Sequence, residues 1–374
     1  MVSVQRKKPP SPFRHMDWMM LLLVAALQGI GLLVLHSVAM QREDPGMFSK
    51  QVMAAGIGLV AMIVILFFDY KDFRILGFIA WVGTTALLLY VLVAGHGLEE
   101  VGMSGWILVG SFSFQPSELA KITMVLTGAY FFERAREKPG FLNYVFLLIF
   151  MWVPILLILR QPDFGTAMVL VFTFLCMLFV WGIRYRWILA GTLVTAAAAI
   201  PVWVYVLPKV LDEYQMTRLL SFINPAAYSK DGAYQVRMAM RAIGSGMDQV
   251  DLSRDYAANW VPAVHTDMIF SALGEKLGFY GAALTIILFA LFLLRCVFVA
   301  MQAKDRFGAY VIIGLTAVFL AHLLENVGMN LGLMPVTGIP LPFVSSGGSS
   351  LIANDVAVGI LLGISMRRKG DSGR

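Results

Sequence analysis

Trp18-Met-Met-Leu-Leu-Leu-Val-Ala-Ala-Leu-Gln-Gly-Ile-Gly-Leu-Leu-Val-Leu-His-Ser-Val-Ala39 follows Arg6, Lys7, Lys8 and Arg14. A basic start before an apolar run superficially resembles a secretory signal peptide. This run exceeds the roughly 7–15 residues of such a segment and lacks a convincing small-x-small cleavage site. It instead matches the roughly 18–25 apolar residues that cross about 30 Å of hydrocarbon as a helix. We read it as a retained first membrane helix.

The same pattern recurs along the chain. Apolar runs at Val52–Phe68, Ile75–Ala94, Leu119–Phe132, Tyr144–Leu159, Phe164–Gly182, Ile188–Leu207, Tyr280–Val299, Ala309–Met329 and Leu351–Ile364 bring the expected spans to about ten. A hydrophobic content of 59% with only 14% charged residues, and a mean hydropathy of +0.77, fit that reading and not a soluble domain, which carries about 25% charge. The fold class expected is an all-α polytopic membrane protein. A helix is the open-ended backbone that satisfies its own polar groups in lipid. Residues 1–16 form an N-terminal segment, 17–366 a single transmembrane domain and 367–374 a tail. A long loop, 209–278, is expected to carry membrane-surface helices.

The net charge of +6 does not mark a nucleic-acid-binding face. Its basic residues fall in alternate short loops, at Lys71 and Arg74, Arg134, Arg136 and Lys138, Arg184 and Arg186, then Arg295, Lys304 and Arg306, as the positive-inside rule demands. Both termini are thus expected to be cytoplasmic. Cys176 and Cys296 lie within apolar runs and imply neither a disulfide framework nor a metal site.

The outer loops carry the chemistry-bearing residues. Trp260-Val-Pro-Ala-Val-His265-Thr266-Asp267 leads into Met268–Gly278, where Thr266 is a plausible N-cap and Gly278 a plausible stop. On a helical wheel Asp267, Ser271 and Glu275 share one face, which predicts an amphipathic helix at the outer surface. Asp267 either complements that helix's dipole or is a functional carboxylate, and the local sequence leaves both open. Glu275, two turns on, is read as structural. Phe114-Gln115-Pro116-Ser117-Glu118-Leu-Ala-Lys121 opens the fourth span. Lys121 there is either a snorkelling lysine or a cation aimed into a cavity. Arg160-Gln161-Pro162-Asp163 either fixes a turn through its own ion pair or presents an anion-binding arginine and a cation-binding carboxylate. Arg218, Arg237 and Arg241 hold phosphate or snorkel from surface helices. Pro335–Ser350, rich in Pro, Gly and Ser, suits a backbone that lines a cavity.

Together these stretches resemble the SEDS family (shape, elongation, division and sporulation) of bacterial cell-wall synthesis. The resemblance rests on Trp106-Ile107, Phe114–Lys121, Gln161–Thr166, Tyr234-Gln235, Ala242–Gly246, Val261-Pro262, His265–Phe270, Gly328-Met329 and Pro335–Ser350. Pro335-Val-Thr-Gly-Ile-Pro-Leu-Pro342 is more similar to the elongation or sporulation branch than to the division branch, and the whole resembles a RodA-like member. The chain departs from the family pattern at Gly105, Ala263, Ser346 and Met247–Asn259.

The resemblance implies a glycosyltransferase that polymerises lipid II at the outer face of the cytoplasmic membrane, beside a class B penicillin-binding protein. It implies Asp267 as the catalytic residue and functional roles for Lys121 and Asp163. Inversion from an α-linked glycosyl diphosphate to a β-1,4 product needs one base and stabilisation of the leaving diphosphate. The candidate substrate contacts are Lys121, Arg160, Arg218, Arg237, Arg241, Gln115, Ser117, Glu118, Trp106, His265, Thr266, Tyr234, Gln235, Ser345, Gly347, Gly348 and Ser349. Asp163 is the candidate ligand for a divalent cation, Mg or Mn. No organic cofactor is expected. Two other readings compete: a transporter of the lipid-linked precursor, which calls for charges along a through-membrane path, and a catalytically silent scaffold, which the departures favour.

Overall fold

The computed structural model describes residues 16–95, 105–109, 112–184, 186–187, 189–191, 193, 213–224 and 232–367. Among these, eight helices are long and apolar enough to cross a membrane. In chain order the elements are α1 (Trp18–Gln41), α2 (Pro45–Leu66), α3 (Phe73–Ala94), β1 (Ile107–Val109), β2 (Phe112–Phe114), α4 (Pro116–Glu137), α5 (Phe141–Arg160) and α6 (Phe164–Trp181). They continue with α7 (Glu213–Ile223), α8 (Gly232–Gly246), α9 (Tyr256–Trp260), α10 (Ile269–Met301), α11 (Arg306–Asn330) and α12 (Gly348–Ser365). The starts follow local chemistry. Asp17, Asp44, Asp163 and Asp305 each accept a backbone N–H from the first turn that follows, which satisfies a donor with no intrahelical partner.

The spans are arranged as a core and a shell. Within the apolar windows of α11 and α12, 78% and 83% of residues are buried, against 28% in α2, α3 and α5. Helix α4 is also central. Nearly all of it from Pro116 to Ala129 is buried, so protein and not lipid surrounds its charged residues, which is where such residues are tolerated. The expected span at Ile188–Leu207 lies largely outside the described residues. One all-β feature was not anticipated: β1 and β2 pair antiparallel, Ile107 opposite Phe114, immediately before α4.

One end of the bundle is fixed by Arg74, which pairs with Glu133 at 3.0 Å and Asp305 at 3.5 Å, while the Tyr70 hydroxyl donates to Asp305 at 2.9 Å. At the other end the segment from Leu331 to Gly347 joins α11 to α12 and packs on the start of α6 through Thr337 and Ile339 and on the residues before α10 through Ser345 and Ser346.

Helix α10 departs from the expected surface helix. It starts at Ile269, with no side-chain cap from Thr266, and every residue from Ile269 to Gly278 is buried. Periodicity marked Ser271 and Glu275 as a polar face, but both are enclosed. The Ser271 amide donates to Asn330 at 3.1 Å and Glu275 accepts the Ala257 amide at 2.9 Å. The stop at Gly278 is real as a kink (φ 64°, ψ −168°), after which the helix resumes. A Cβ on Gly278 would meet the Gln249 carbonyl oxygen at 2.9 Å and nitrogen at 3.0 Å. Gly278→Ala is expected to cost about 1–3 kcal/mol through its positive φ and this crowding, seen as a lower unfolding temperature in detergent.

Candidate active site

Lys121 and Glu118, one turn apart on α4, form an ion pair at 2.9 Å with each side chain only 3% exposed. The Lys121 ammonium also lies 2.8 Å from His322 Nε2 on α11. The snorkelling alternative therefore fails: Lys121 is enclosed, ion-paired with one carboxylate and within hydrogen-bonding distance of one imidazole nitrogen. A lone buried charge would be costly, and a pair is tolerated when its remaining hydrogen-bonding capacity is met.

Asp163 stands at the start of α6. Its Oδ1 accepts the Thr166 amide at 3.0 Å and its Oδ2 accepts Gln115 Nε2 at 3.4 Å. Burial pushes its carboxyl above the ordinary range, offset by the Thr166 bonds and by Lys121. Both oxygens are thus engaged by the protein. Among the described residues no three His, Cys, Asp or Glu side chains are grouped to hold a metal ion. Gly165 lies two residues on from Asp163, and a Cβ there would come within 2.9 Å of the Thr337 carbonyl oxygen and 2.7 Å of Ile339 Cγ1. That close approach seats the Pro-Gly loop on the start of α6.

Asp267 lies in the turns between α9 and α10 and is half-buried. Its carboxyl is pushed up to about 6, chiefly by desolvation and also by Asp163, against the pull of Arg218 and the Thr266 hydroxyl. The same loop brackets it. Ser345 Oγ donates to the Thr266 carbonyl at 2.6 Å, and the Ser346 amide donates to the His265 carbonyl at 2.7 Å. Gly347 donates its amide to Gln51 Oε1 at 3.1 Å. At Gly338 (φ 79°) a Cβ would lie 3.5 Å from Asp267 Oδ2 and 3.7 Å from Arg218 Nη1. Carboxylate, guanidinium and glycine thus line one small space.

The family model for cell cycle proteins FtsW, RodA and SpoVE matches residues 17–370. The chain belongs to this family. Three similar curated members show its span: the probable peptidoglycan glycosyltransferase FtsW of Geobacter metallireducens, 34% identical over 95% of this chain and 96% of that protein; the stage V sporulation protein E of Bacillus subtilis, 33% identical over 93% and 96%; and the peptidoglycan glycosyltransferase MrdB of Escherichia coli, 32% identical over 95% of each. Among solved structures, a chain of a peptidoglycan synthase complex that coordinates polymerization and crosslinking superposes with a TM-score of 0.81 at 28% identity, covering 95% of this chain and 99% of that one. The rod shape determining protein RodA of Thermus thermophilus gives 0.71 at 28% identity, over 95% and 98%. The chain is an integral membrane protein of the FtsW/RodA/SpoVE fold.

Other expected contacts fall at varying distances from the site. Ser117 is buried with its hydroxyl unpartnered, and Ser349 is buried at the start of α12, next to Gly348. His265 has an unpartnered Nδ1, and desolvation, with Arg42 nearby, holds its imidazole below its ordinary range. Trp106 is half-buried beside β1, and Tyr234 is half-buried on α8. Gln235 Nε2 donates to the Pro262 carbonyl at 3.4 Å. Arg237 is half-buried on the same helix, whereas Arg160 and Arg241 are exposed. Asp163 caps its helix and receives Gln115, so a turn-fixing pair with Arg160 is not what holds it. Of the arginines, Arg218 is the one whose charge acts on Asp267.

Sequence reasoning missed the residues of α11. His322, Glu325, Asn326 and Asn330 are all buried, and Glu325, with one carboxylate oxygen unpartnered, lies near enough to Asp163 and Lys121 to feel both charges. The available signal was four polar side chains at helical spacing inside an apolar run. In a membrane helix that is a functional mark.

Proposed function

We propose that this chain polymerises lipid II into β-1,4-linked glycan strands at the outer face of the bacterial cytoplasmic membrane, with both termini cytoplasmic and a class B penicillin-binding protein as its transpeptidase partner. Asp267 is the general base. Its carboxylate takes the proton from the acceptor sugar's 4-hydroxyl as that oxygen bonds to the donor's anomeric carbon, and the carbon–oxygen bond to the diphosphate breaks with inversion. The electron pair leaves with the diphosphate, which needs nearby positive charge more than a proton. Arg218 supplies that charge next to Asp267, and Lys121 adds its field from within the bundle.

The observation that carries this reading is the placing of the Asp267 carboxylate and the Arg218 guanidinium on the same side of Gly338, whose Cβ would lie 3.5 Å from one and 3.7 Å from the other; desolvation there pushes the carboxyl up to about 6, and a base works best with a pKa near the operating pH. The sign is definite. Protonation disables a base, so kcat/KM is expected to fall about tenfold per pH unit below about 6 and to level off above it. A profile flat from pH 5 to 8 would remove Asp267 from the base role. The reading as a whole is tested by supplying the purified chain and its transpeptidase partner with labelled lipid II. Absence of glycan from that mixture would leave transport or scaffolding in its place.

The distribution of charge weighs against transport. Lys121 and Asp355 lie about 8 Å and 10 Å of helix rise from the starts of α4 and α12, both at the Asp267 end. The next charge along α4 is Glu133, roughly 18 Å further on at the opposite end. Uncharged sequence separates the two groups, also along α11 from Arg306 to His322 and along α12 from Asp355 to Arg367.

A further inference from the structure

His322, Asn326 and Asn330 repeat every four residues on α11, so their side chains stand one above another on a single face. Each joins segments distant in sequence. His322 Nδ1 lies 3.0 Å from the Pro340 carbonyl oxygen, and its Nε2 lies 2.8 Å from the Lys121 ammonium. A carbonyl oxygen only accepts, so Nδ1 carries the proton, and Nε2 offers its lone pair to the ammonium. One turn on, Asn326 Nδ2 donates to the Ile339 carbonyl at 2.7 Å and to the Asp267 carbonyl at 2.8 Å. Asn330 donates to the same Asp267 carbonyl at 3.1 Å and accepts the Ser271 amide on its Oδ1 at 3.1 Å.

We infer that this face of α11 is a positioning device for the glycosyl transfer, with His322 as the residue that aims Lys121. The inference rests on the glycosyltransferase reading above. A lysine ammonium has three donors on a flexible four-carbon stem. Glu118 alone leaves it free to pivot, and a second acceptor at a fixed place on another helix does not. The consecutive carbonyls of Ile339 and Pro340 are gripped by Asn326 and His322, and Asn326 also grips the main chain of Asp267. One helix therefore sets the separation between cation and base while its own side chains touch the protein and not the reacting atoms. Misplacement of a reacting group by about 1 Å costs on the order of a hundredfold in rate, so rigid supports of this kind carry kinetic weight.

The two nitrogens of His322 are separable by substitution. His322→Asn places an amide donor near the Nδ1 position and keeps the Pro340 bond but has no acceptor for Lys121. His322→Gln places an amide oxygen near the Nε2 position and keeps the Lys121 bond but gives up Pro340. With the full chain and its transpeptidase partner in lipid nanodiscs on labelled lipid II, His322→Asn is expected to lower kcat roughly 10–100-fold with KM little changed, and His322→Gln to restore it to within about threefold of wild type. The reverse order would assign His322 to the loop, and equal losses or equal activity in both would likewise overturn the inference. A second measurement is independent of turnover. In protein labelled with 15N-histidine, the His322 signal, assigned by its loss in His322→Asn, is expected to show the Nδ1–H tautomer and an Nε2 resonance that moves in Lys121→Met. An unmoved resonance would sink the inference even if the enzyme is active; a moved one would sustain the aiming of Lys121 by His322, so that absence of glycan from wild type would then overturn the glycosyltransferase reading, and with it the catalytic purpose of that aiming.

Discussion

Asp267→Asn is expected to lower lipid II polymerisation by about a thousandfold while the protein folds at least as well as before. Asn matches Asp in shape and can still meet the Thr266 hydroxyl, but it cannot take a proton, and general-base catalysis is worth about 10²–10⁴-fold. The stability effect has a worked sign. The folded protein holds the Asp267 carboxyl at about 6, above its value in an unfolded chain, so folding favours the protonated form. That contribution is fully present at low pH and is lost as pH rises through about 6. A permanently neutral side chain escapes the loss. The unfolding temperature of Asp267→Asn should exceed that of wild type at pH 8 and converge with it near pH 4. A mutant that polymerises at the wild-type rate would exclude Asp267 as the base. An inactive mutant with a lowered unfolding temperature at pH 8 would make its inactivity a folding defect instead.

Lys121→Met is expected to lower turnover by about a hundredfold or more, the scale of removing one preorganised charge from a dry site. It also strands Glu118 as a buried carboxylate with its cation gone, which costs about 3–5 kcal/mol. The double variant Glu118→Gln with Lys121→Met separates these effects, since it removes the stranded charge and should recover most of the stability. If turnover stays low in the stable double variant, the ammonium acts on the reaction; if turnover recovers with stability, Lys121 is a structural residue. Lys121→Arg should not rescue, because a planar guanidinium cannot meet Glu118 and His322 from the place a tetrahedral ammonium occupies.

The membrane spans were legible because a helix must carry enough apolar residues to cross lipid, and length and hydropathy report this directly. The site was legible in part. Asp267, Lys121, Asp163 and Arg218 stand where polar loops meet apolar runs, and the structure gathers them at one end of the bundle. The environment of Ser271 and Glu275 was not legible, since periodicity shows which residues share a face but not whether another segment covers it. Their partners, Asn330 and the Ala257 amide, come from distant stretches. His322 and Asn326 went unread for the related reason that their partners are Lys121 and three main-chain carbonyls, and main-chain carbonyls leave no trace in side-chain identity.

The kink at Gly278 divides α10 into two mechanical bodies. The part before it is clasped by protein, with the Asp251 amide on the Lys276 carbonyl at 2.8 Å and the Ala257 amide on the Glu275 carboxylate at 2.9 Å. The part after it exposes Phe279, Tyr280, Leu284 and Ile287 and feels the bilayer. A helix meeting a membrane of different thickness tilts to match it. Because the ladder is interrupted at Gly278, such a tilt turns about that residue and is not levered onto Asp267. The chain thus has a strain relief between its anchor in lipid and the candidate site, whose geometry can be kept in membranes of differing composition.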